Sequence, residues 1–150
     1  MTPADAPAPP DAWPIELMEA PDEALRQAIA RPLIDFNVAA AGPSGHRTLA
    51  LSVRDAAGRV QGGLWGATAH GWLYTQMLVV PAAARGQGLG RRLMLAAETE
   101  ARRRGCRQAW VDTQFGARGF YERLGYVAFG ELPDYPPGFV RTFLRKTLTP

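Results

Sequence analysis

Three glycines at alternate positions, Gly86, Gly88 and Gly90, lie between a run rich in aromatic and β-branched residues and the start of a helical pattern. Glycine can adopt positive φ, and without a Cβ its backbone N–H group can approach a ligand closely. Because the loop leads into a helix, its N–H groups would join the unpaired donors and the positive dipole end of the first helical turn. This combination predicts a binding site for an anion such as phosphate.

Two common phosphate-binding loops do not fit this stretch. A P-loop needs a lysine followed by serine or threonine, and Arg91 and Arg92 stand in those places. A dinucleotide-binding fold needs Gly-x-Gly-x-x-Gly after its first strand and an acidic residue about 20 residues later. Here the spacing is Gly-x-Gly-x-Gly in the middle of the chain. The glycine spacing alone therefore does not identify the anion.

A second group of residues follows after a predicted helix and strand. Ala117, Phe120, Tyr121 and Leu124 have the spacing i, i+3, i+4 and i+7, so they are expected to share the buried face of a short helix that ends at Gly125. By this spacing alone, Tyr121 is a core residue. Its phenol is polar, however, and a buried tyrosine usually finds a partner for its hydroxyl.

Together, the two groups resemble the signature sequences of the GNAT superfamily of N-acetyltransferases. The first signature, Gln/Arg-x-x-Gly-x-Gly/Ala, is met by Arg85, Gly88 and Gly90. The second, Asn-x-x-Ala-x-x-Phe-Tyr-x-x-x-Gly-Phe/Tyr, is matched by Ala117, Phe120, Tyr121, Gly125 and Tyr126, with Gln114 in place of the asparagine. The resemblance extends over roughly residues 15–148. It implies an acetyl-CoA-dependent N-acetyltransferase.

The resemblance also implies which residues bind acetyl-CoA. The N–H groups of the glycine loop would hold its pyrophosphate, and the preceding strand would pair with its pantetheine arm. Gln114 departs from the signature at a side chain that often contacts the pantetheine. The expected cofactor-binding residues are Leu78, Val79, Val80, Arg85, Gly86, Gln87, Gly88, Leu89, Gly90, Arg91, Gln114, Ala117, Phe120 and Tyr121.

Acetyl transfer to an amine needs a hydrogen-bond donor for the thioester oxygen and a proton for the departing thiolate. By resemblance, a bulged strand would leave a backbone N–H free as that donor, near Leu78 or Val79. Tyr121 has an ordinary pKa of about 10, against about 8.5 for a thiol, so it is protonated at pH 7 and is the expected general acid. Asp112 is the candidate base, although it could equally cap the next helix, and a water relay would make a base unnecessary.

The acceptor is predicted by position only. Asp35, Phe36 and Asn37 in the first helices, and Tyr135 in a proline-rich loop near the end of the chain, are the candidate contacts. The sequence leaves open whether the acceptor is a small amine, an antibiotic, an amino acid or a protein terminus. An alternative function is that of a CoA-binding sensor or partner-binding module without catalysis. Dimerisation is common in the resembled family, although no seam in this sequence demonstrates it.

The composition disfavours several other classes of protein. The chain has 150 residues, 47% of them apolar, and a net charge of +3 that comes from 16 arginines, one lysine and 14 acids. Nucleic-acid binders normally show a denser basic face. No apolar run approaches the roughly 20 residues of a membrane span, and the N-terminus does not resemble a secretory signal. We therefore expect a cytoplasmic protein without nucleic-acid or membrane partners.

The thiol and imidazole groups give no sign of a metal site. Cys106 is alone, so it is expected to be a buried core thiol in a reducing compartment. His46 and His70 lie beside glycines and are expected in turns.

The order of patterns predicts an α/β fold with a GNAT-type mixed sheet of about seven strands and flanking helices. A Pro/Ala-rich flexible tail, residues 1–14, would precede a single acetyltransferase domain, residues 15–150. The first elements would be a short strand at 15–18 and two helices separated at Pro32, the second ending at Gly42. An antiparallel meander (47–54, 59–69 and 72–80) would lead into the helix after Gly90 and a parallel strand at 106–113. The short helix and two last strands, at 128–130 and 138–148, would complete the domain.

Overall fold

The computed structural model describes residues 13–150. By their internal packing these residues divide into two units, one ending at Pro43 and the other spanning Ser44–Pro150. Nearly all of the predicted tail, residues 1–14, lies outside the described residues, so the boundary between tail and domain stays a prediction.

The first unit contains one long helix, α1 (Glu23–Ala41). Asp22 caps it, because its carboxylate accepts a hydrogen bond of 2.8 Å from the N–H of Leu25. The helix ends at Gly42, whose positive φ lets its N–H reach the carbonyl of Val38 at 2.9 Å. The predicted break at Pro32 was wrong: the helix continues through it, since an exposed helix can leave the one unpaired carbonyl to water.

The predicted strand at residues 15–18 was also wrong. These residues are exposed and have no regular secondary structure. A strand needs a neighbouring strand to satisfy its N–H and C=O groups, and a local pattern does not show whether one is present.

The second unit is built on a mixed sheet of six strands in the order β1-β2-β3-β4-β6-β5, within the described residues. Only β3 and β4 are parallel, and α2 connects them; the meander of β1, β2 and β3 and the parallel crossover were both predicted. The expected count of about seven differs by the missing strand at 15–18. The elements are β1 (Arg47–Arg54), β2 (Val60–Ala69), β3 (Trp72–Val79), α2 (Leu89–Arg103), β4 (Gln108–Thr113), α3 (Arg118–Arg123), β5 (Val127–Leu132) and β6 (Arg141–Thr147).

One face of the sheet packs against α2 and α3. Alternate strand residues form this core, among them Leu49, Leu73 and Leu144, and α2 contributes Met94 and other small or apolar side chains. Burying a leucine of this kind is worth about 1.5–3 kcal/mol. The single thiol, Cys106, belongs to the same core as predicted, and burial raises its pKa.

A buried charge lies on the inner face of α2. Glu98 is fully buried on this face, whereas Ala96, two residues earlier, is exposed. The ammonium of Lys146 on β6 donates to both Glu98 oxygens at 3.0 and 2.8 Å, and the Tyr126 hydroxyl donates to one of them at 3.2 Å. A charge without water is stable only when it is paired in this way.

The sheet opens between β3 and β4. These strands pair only from Trp72 opposite Gln108 to Thr75 opposite Val111, whereas β4 continues to pair with β6 up to Thr113. The edge of β3 beyond Thr75 therefore has no strand partner on that side among the described residues.

No helix within residues 13–150 has the length and hydropathy that would let it cross a lipid bilayer.

Candidate active site

The glycine loop has the geometry that anion binding requires. Gly86 and Gly88 have φ of 73° and 76°, and Gly88 is the residue directly before α2. None of the backbone N–H groups of residues 86–91 donates a hydrogen bond of ordinary geometry to another described residue. Six consecutive amide donors at the positive end of a 15-residue helix therefore remain available to a ligand.

A cavity of about 330 Å³ lies beside the glycine loop. Its walls are Leu78, Val79, Val80, Arg85, Gly90 and Phe120. All six belong to the set that the sequence predicted to bind the cofactor. The cavity depends on the missing side chain of Gly90, because a Cβ there would lie 3.3 Å from the Phe120 ring and 3.4 Å from Val80 Cγ2.

Tyr121 lies on α3 with its ring in the core and only 8% of its surface exposed. The ring packs edge-on against Phe120 at 5.0 Å and against Tyr126 at 5.9 Å. Its hydroxyl forms no hydrogen bond with a described residue, unlike the hydroxyls of Tyr74 and Tyr126. Burial, and next the negative charge of Asp112, raise the pKa of Tyr121, so the phenol is protonated at neutral pH.

Asp112 is at the end of β4, where β4 no longer pairs with β3. One carboxylate oxygen accepts from the Tyr74 hydroxyl at 3.2 Å, and the other is ion-paired with Arg141. The Arg141 guanidinium lies 4.2 Å from the centre of the Tyr135 ring. Burial, and then the charge and the hydrogen bond of Asp112, raise the pKa of Tyr74.

This arrangement combines an anion-binding loop, an open strand edge and a buried phenol. Comparison with known proteins gives it a family: the model of the Acetyltransferase (GNAT) family matches residues 5–126. The chain belongs to the GNAT family.

The relatives of this GNAT protein carry the same activity in their names. It is 43% identical over 131 residues to Acetyltransferase Atu2258 of Agrobacterium fabrum, covering 87% of this chain and 96% of the relative. It is 46% identical over 93 residues to Blasticidin-S acetyltransferase of Streptomyces morookaense, covering 61% of this chain and 68% of that protein. A crystal structure of an acetyltransferase from Agrobacterium tumefaciens superimposes with a TM-score of 0.85 at 41% identity, covering 90% of this chain and 99% of that one.

The protein is therefore an acetyltransferase, and GNAT acetyltransferases take the acetyl group from acetyl-CoA. Within residues 13–150, no cluster of His, Cys, Asp and Glu side chains is arranged to hold a metal ion.

Strand β3 of this GNAT domain contains a bulge. The register of β2 and β3 shifts between Thr75 and Met77, which leaves Gln76 as the extra residue. Gln76 therefore lies opposite the junction between Trp65 and Gly66 in β2. Leu78 itself is in register opposite Leu64, so its predicted role as the oxyanion donor stays a prediction.

Two other predicted cofactor-binding residues lie in the connection between β4 and α3. Gln114 is half-buried directly after β4, and Ala117 packs against the core at the start of α3. Between them, Phe115 and Gly116 both have positive φ, at 56° and 81°, and reverse the chain.

The predicted acceptor residues are divided between the two units. Asp35, Phe36 and Asn37 are exposed on α1 in the first unit, and Asp35 pairs with Arg31 at 3.2 Å. Their role stays a prediction. Tyr135 belongs to the second unit, where it covers one face of a guanidinium.

Arg141, the ion-pair partner of Asp112, was not predicted from the sequence. It is 29 positions from Asp112, and no local spacing connects the two. Its place in the alternating pattern of β6 would have suggested only a surface arginine.

Proposed function

We propose that the protein transfers the acetyl group of acetyl-CoA to a primary amine by direct attack of the amine on the thioester. The observation that carries this proposal is the run of unpaired N–H groups at residues 86–91. This run adjoins the cavity at the end of β3, whose edge toward β4 is open. A pyrophosphate and an amide-containing arm need these two features, and they occur next to each other.

The loop residues would hold the phosphate groups. Gly86 to Arg91 supply backbone donors, while Arg85, Arg91 and Arg92 are exposed and add positive charge. Binding at the loop and along β3 fixes the donor in the gap between β3 and β4. Such positioning alone can reach effective molarities on the order of 10⁵ M or more.

Tyr121 is the proposed general acid. Acetyl-CoA supplies an activated acyl carbon, and when the amine nitrogen bonds to this carbon the carbon–sulfur bond breaks and a thiolate leaves. The Tyr121 hydroxyl has no hydrogen-bond partner among residues 13–150 and is protonated, so it can give its proton to that sulfur.

Asp112 is the candidate base from the sequence. Taking the amine proton would remove the negative charge that is paired with Arg141 and that accepts the hydrogen bond of Tyr74. We therefore propose that water takes the amine proton and that Asp112 holds its two neighbours in place.

The acceptor is proposed to be the amine of a small molecule. The relative that supports this is Blasticidin-S acetyltransferase, 46% identical over 93 residues. Blasticidin S is accordingly the first compound to test, followed by amino acids, simple amines and aminoglycosides.

The test has two measurements. A thermal melt is recorded with acetyl-CoA, CoA and ATP in parallel; a ligand at 100 times its Kd adds about 2.7 kcal/mol of stability. Release of free CoA is then followed with each amine. We expect stabilisation by both CoA species but not by ATP, and release that depends on an amine.

The outcomes separate the alternatives. Stabilisation by CoA without release for any amine would identify a CoA-binding module that does not catalyse transfer. Lack of stabilisation by either CoA species would overturn the proposal, because the glycine loop would then bind some other anion or none.

A further inference from the structure

We propose that Arg141 binds a carboxylate of the acceptor, so that the substrate is an amine that also carries a carboxylate, as an amino acid does. This proposal rests on the proposed function, since it names the acceptor class of the same site. The cluster that carries it consists of Arg141, Asp112, Tyr74 and Tyr135.

Arg141 has more hydrogen-bond donors than partners. A guanidinium has five N–H groups. Among the described residues, one N–H donates to Asp112, and Nε is enclosed without any partner. The Arg141 side chain is 23% exposed, so part of the guanidinium faces solvent. Donors left over on a partly buried arginine favour a ligand that offers oxygen acceptors, and a carboxylate matches a guanidinium best.

Asp112 does not repel such a ligand. Its charge is neutralised by Arg141, and the Tyr74 hydroxyl donates a second hydrogen bond to it. Because Tyr74 also supports Asp112, Arg141 can share its guanidinium with a second carboxylate without leaving Asp112 unpaired. The cluster would then hold two carboxylates between one cation and one phenol.

The guanidinium is held in a fixed orientation. Tyr135 covers one of its faces at 4.2 Å from the ring centre, a cation–π contact. Tyr135 is itself held by its loop, in which its N–H donates to the Phe139 carbonyl at 3.1 Å and Phe139 packs edge-on against Phe115 at 4.8 Å. A fixed plane is what a guanidinium needs to recognise a carboxylate, which is also planar.

The cluster lies beside the reaction site. Asp112 is in the part of β4 that borders the gap, and its charge acts on the Tyr121 phenol. A carboxylate bound at Arg141 would therefore anchor an acceptor whose amine enters the gap. An amine without a carboxylate would lack this anchor.

The experiment compares acceptors in matched sets of three: glycine, glycinamide and methylamine; β-alanine, β-alaninamide and ethylamine; phenylalanine, phenylalaninamide and phenethylamine. For each set, kcat/KM is measured by CoA release. Binding to the CoA-saturated protein is measured by calorimetry. In at least one set we expect the carboxylate compound to exceed its amide by tenfold or more, in turnover and in affinity.

The variants are Arg141→Gln, Arg141→Lys and, as the matched control, Arg145→Gln. Arg145 is on the same strand and exposed, and it lines a separate aromatic cavity with Trp72 and Trp110. We expect Arg141→Gln to bring the carboxylate-to-amide ratio close to one through a higher acceptor KM, with an unchanged KM for acetyl-CoA. Arg141→Lys should keep an intermediate ratio, and Arg145→Gln the full one.

Failure of this proposal differs from failure of the proposed function. If amines are acetylated but the carboxylate gives no advantage, or if the advantage survives in Arg141→Gln, the role of Arg141 is refuted and the acetyltransferase remains. If no amine is acetylated, calorimetry still decides: selective carboxylate binding that Arg141→Gln removes supports the site, and its absence overturns it. Stabilisation by CoA in a thermal melt shows that each variant is folded, and Arg141→Lys replaces Arg141→Gln if the latter does not fold.

Discussion

Replacing Tyr121 by phenylalanine removes a single hydroxyl from the proposed acid and leaves its packing in place. The ring contacts with Phe120 and Tyr126, at 5.0 and 5.9 Å, do not involve the oxygen. The hydroxyl has no hydrogen-bond partner among the described residues, so none loses a bond. We therefore expect the free energy of unfolding to change by less than about 1 kcal/mol.

The expected loss is in the rate of the chemical step. General acids contribute about 10²- to 10⁴-fold, which corresponds to roughly 2.7–5.4 kcal/mol in the activation barrier. Because burial raises the pKa of Tyr121 above the usual value near 10, proton transfer to a thiolate of pKa about 8.5 is uphill. A weak acid gives less help, so we expect kcat to fall by about 10² and the Kd of acetyl-CoA to stay within about twofold.

The assay is steady-state release of CoA at saturating acceptor, together with calorimetry of acetyl-CoA binding. Tyr126→Phe is the matched control, because it also removes a tyrosine hydroxyl but one that donates to Glu98 at 3.2 Å. This variant should lose about 1–2 kcal/mol of stability and keep its kcat within about twofold. A Tyr121→Phe enzyme with kcat within threefold of the parent would refute the acid role.

Three further perturbations test the cavity, the buried ion pair and the buried phenols. Gly90→Ala should weaken acetyl-CoA binding about tenfold, because the new Cβ would press on the Phe120 ring that lines the cavity. Tm should not fall, because alanine favours the helix by up to about 1 kcal/mol. An unchanged Kd for acetyl-CoA, measured by calorimetry, would show that the cofactor does not bind in this cavity. Lys146→Met should lower the free energy of unfolding by about 3–5 kcal/mol in urea titrations, since buried Glu98 is then left with only the longer ion pair to Arg102, at 3.6 Å. Adding Glu98→Gln should restore part of this loss, and equal losses in the single and the double variant would contradict the pairing. The free energy of unfolding should also fall as pH rises above about 10, because burial raises the pKa of Tyr126 in the folded state while the unfolded tyrosine ionises near 10 and releases its proton. Urea titrations from pH 8 to 11 measure this dependence, and a flat profile, or an equal fall in Tyr126→Phe, would count against it.

The strands of the second unit could be predicted because their sequence carries a period of two. Leu49, Leu51 and Val53 alternate with smaller or polar residues, and β1 has the predicted bounds, 47–54. Turn residues then fixed where strands end, as at Gly58 and Gly71, both with positive φ. The alternation of apolar residues and the positions of turn residues are local properties of the chain, so a single sequence was enough to predict these strands.

The first unit was predicted less well, because its structure depends on what surrounds it. Pro32 has a φ that suits a helix and costs one hydrogen bond, so whether it ends a helix depends on the solvation of a neighbouring carbonyl. The stretch 15–18 has strand-forming residues, but strand formation needs a second strand.

The site residues also differ in whether a local pattern of the sequence could identify them. The loop at 85–91 and the residues of α3 follow one another in sequence, so a signature could identify them. Arg141 and Lys146 could not be found by spacing, because their partners Asp112 and Glu98 are 29 and 48 residues away. Such pairs form only when the fold brings distant strands and helices together. In the sequence alone, each of these four charged residues resembles an ordinary surface residue.

The ion pair of Lys146 also protects this side chain from acetylation by the enzyme's own co-substrate, acetyl-CoA. An activated thioester acylates any neutral amine that it meets, and the whole chain has one lysine against 16 arginines. That lysine is 18% exposed and its ammonium donates two hydrogen bonds to Glu98, whereas the arginines carry guanidinium groups, which are not acylated in this way. While the fold is intact, prolonged storage with acetyl-CoA should therefore add no acetyl group to a lysine side chain, and mass spectrometry of the intact protein and of its Lys146 peptide can follow this. Unfolding in urea would expose Lys146 and make it reactive.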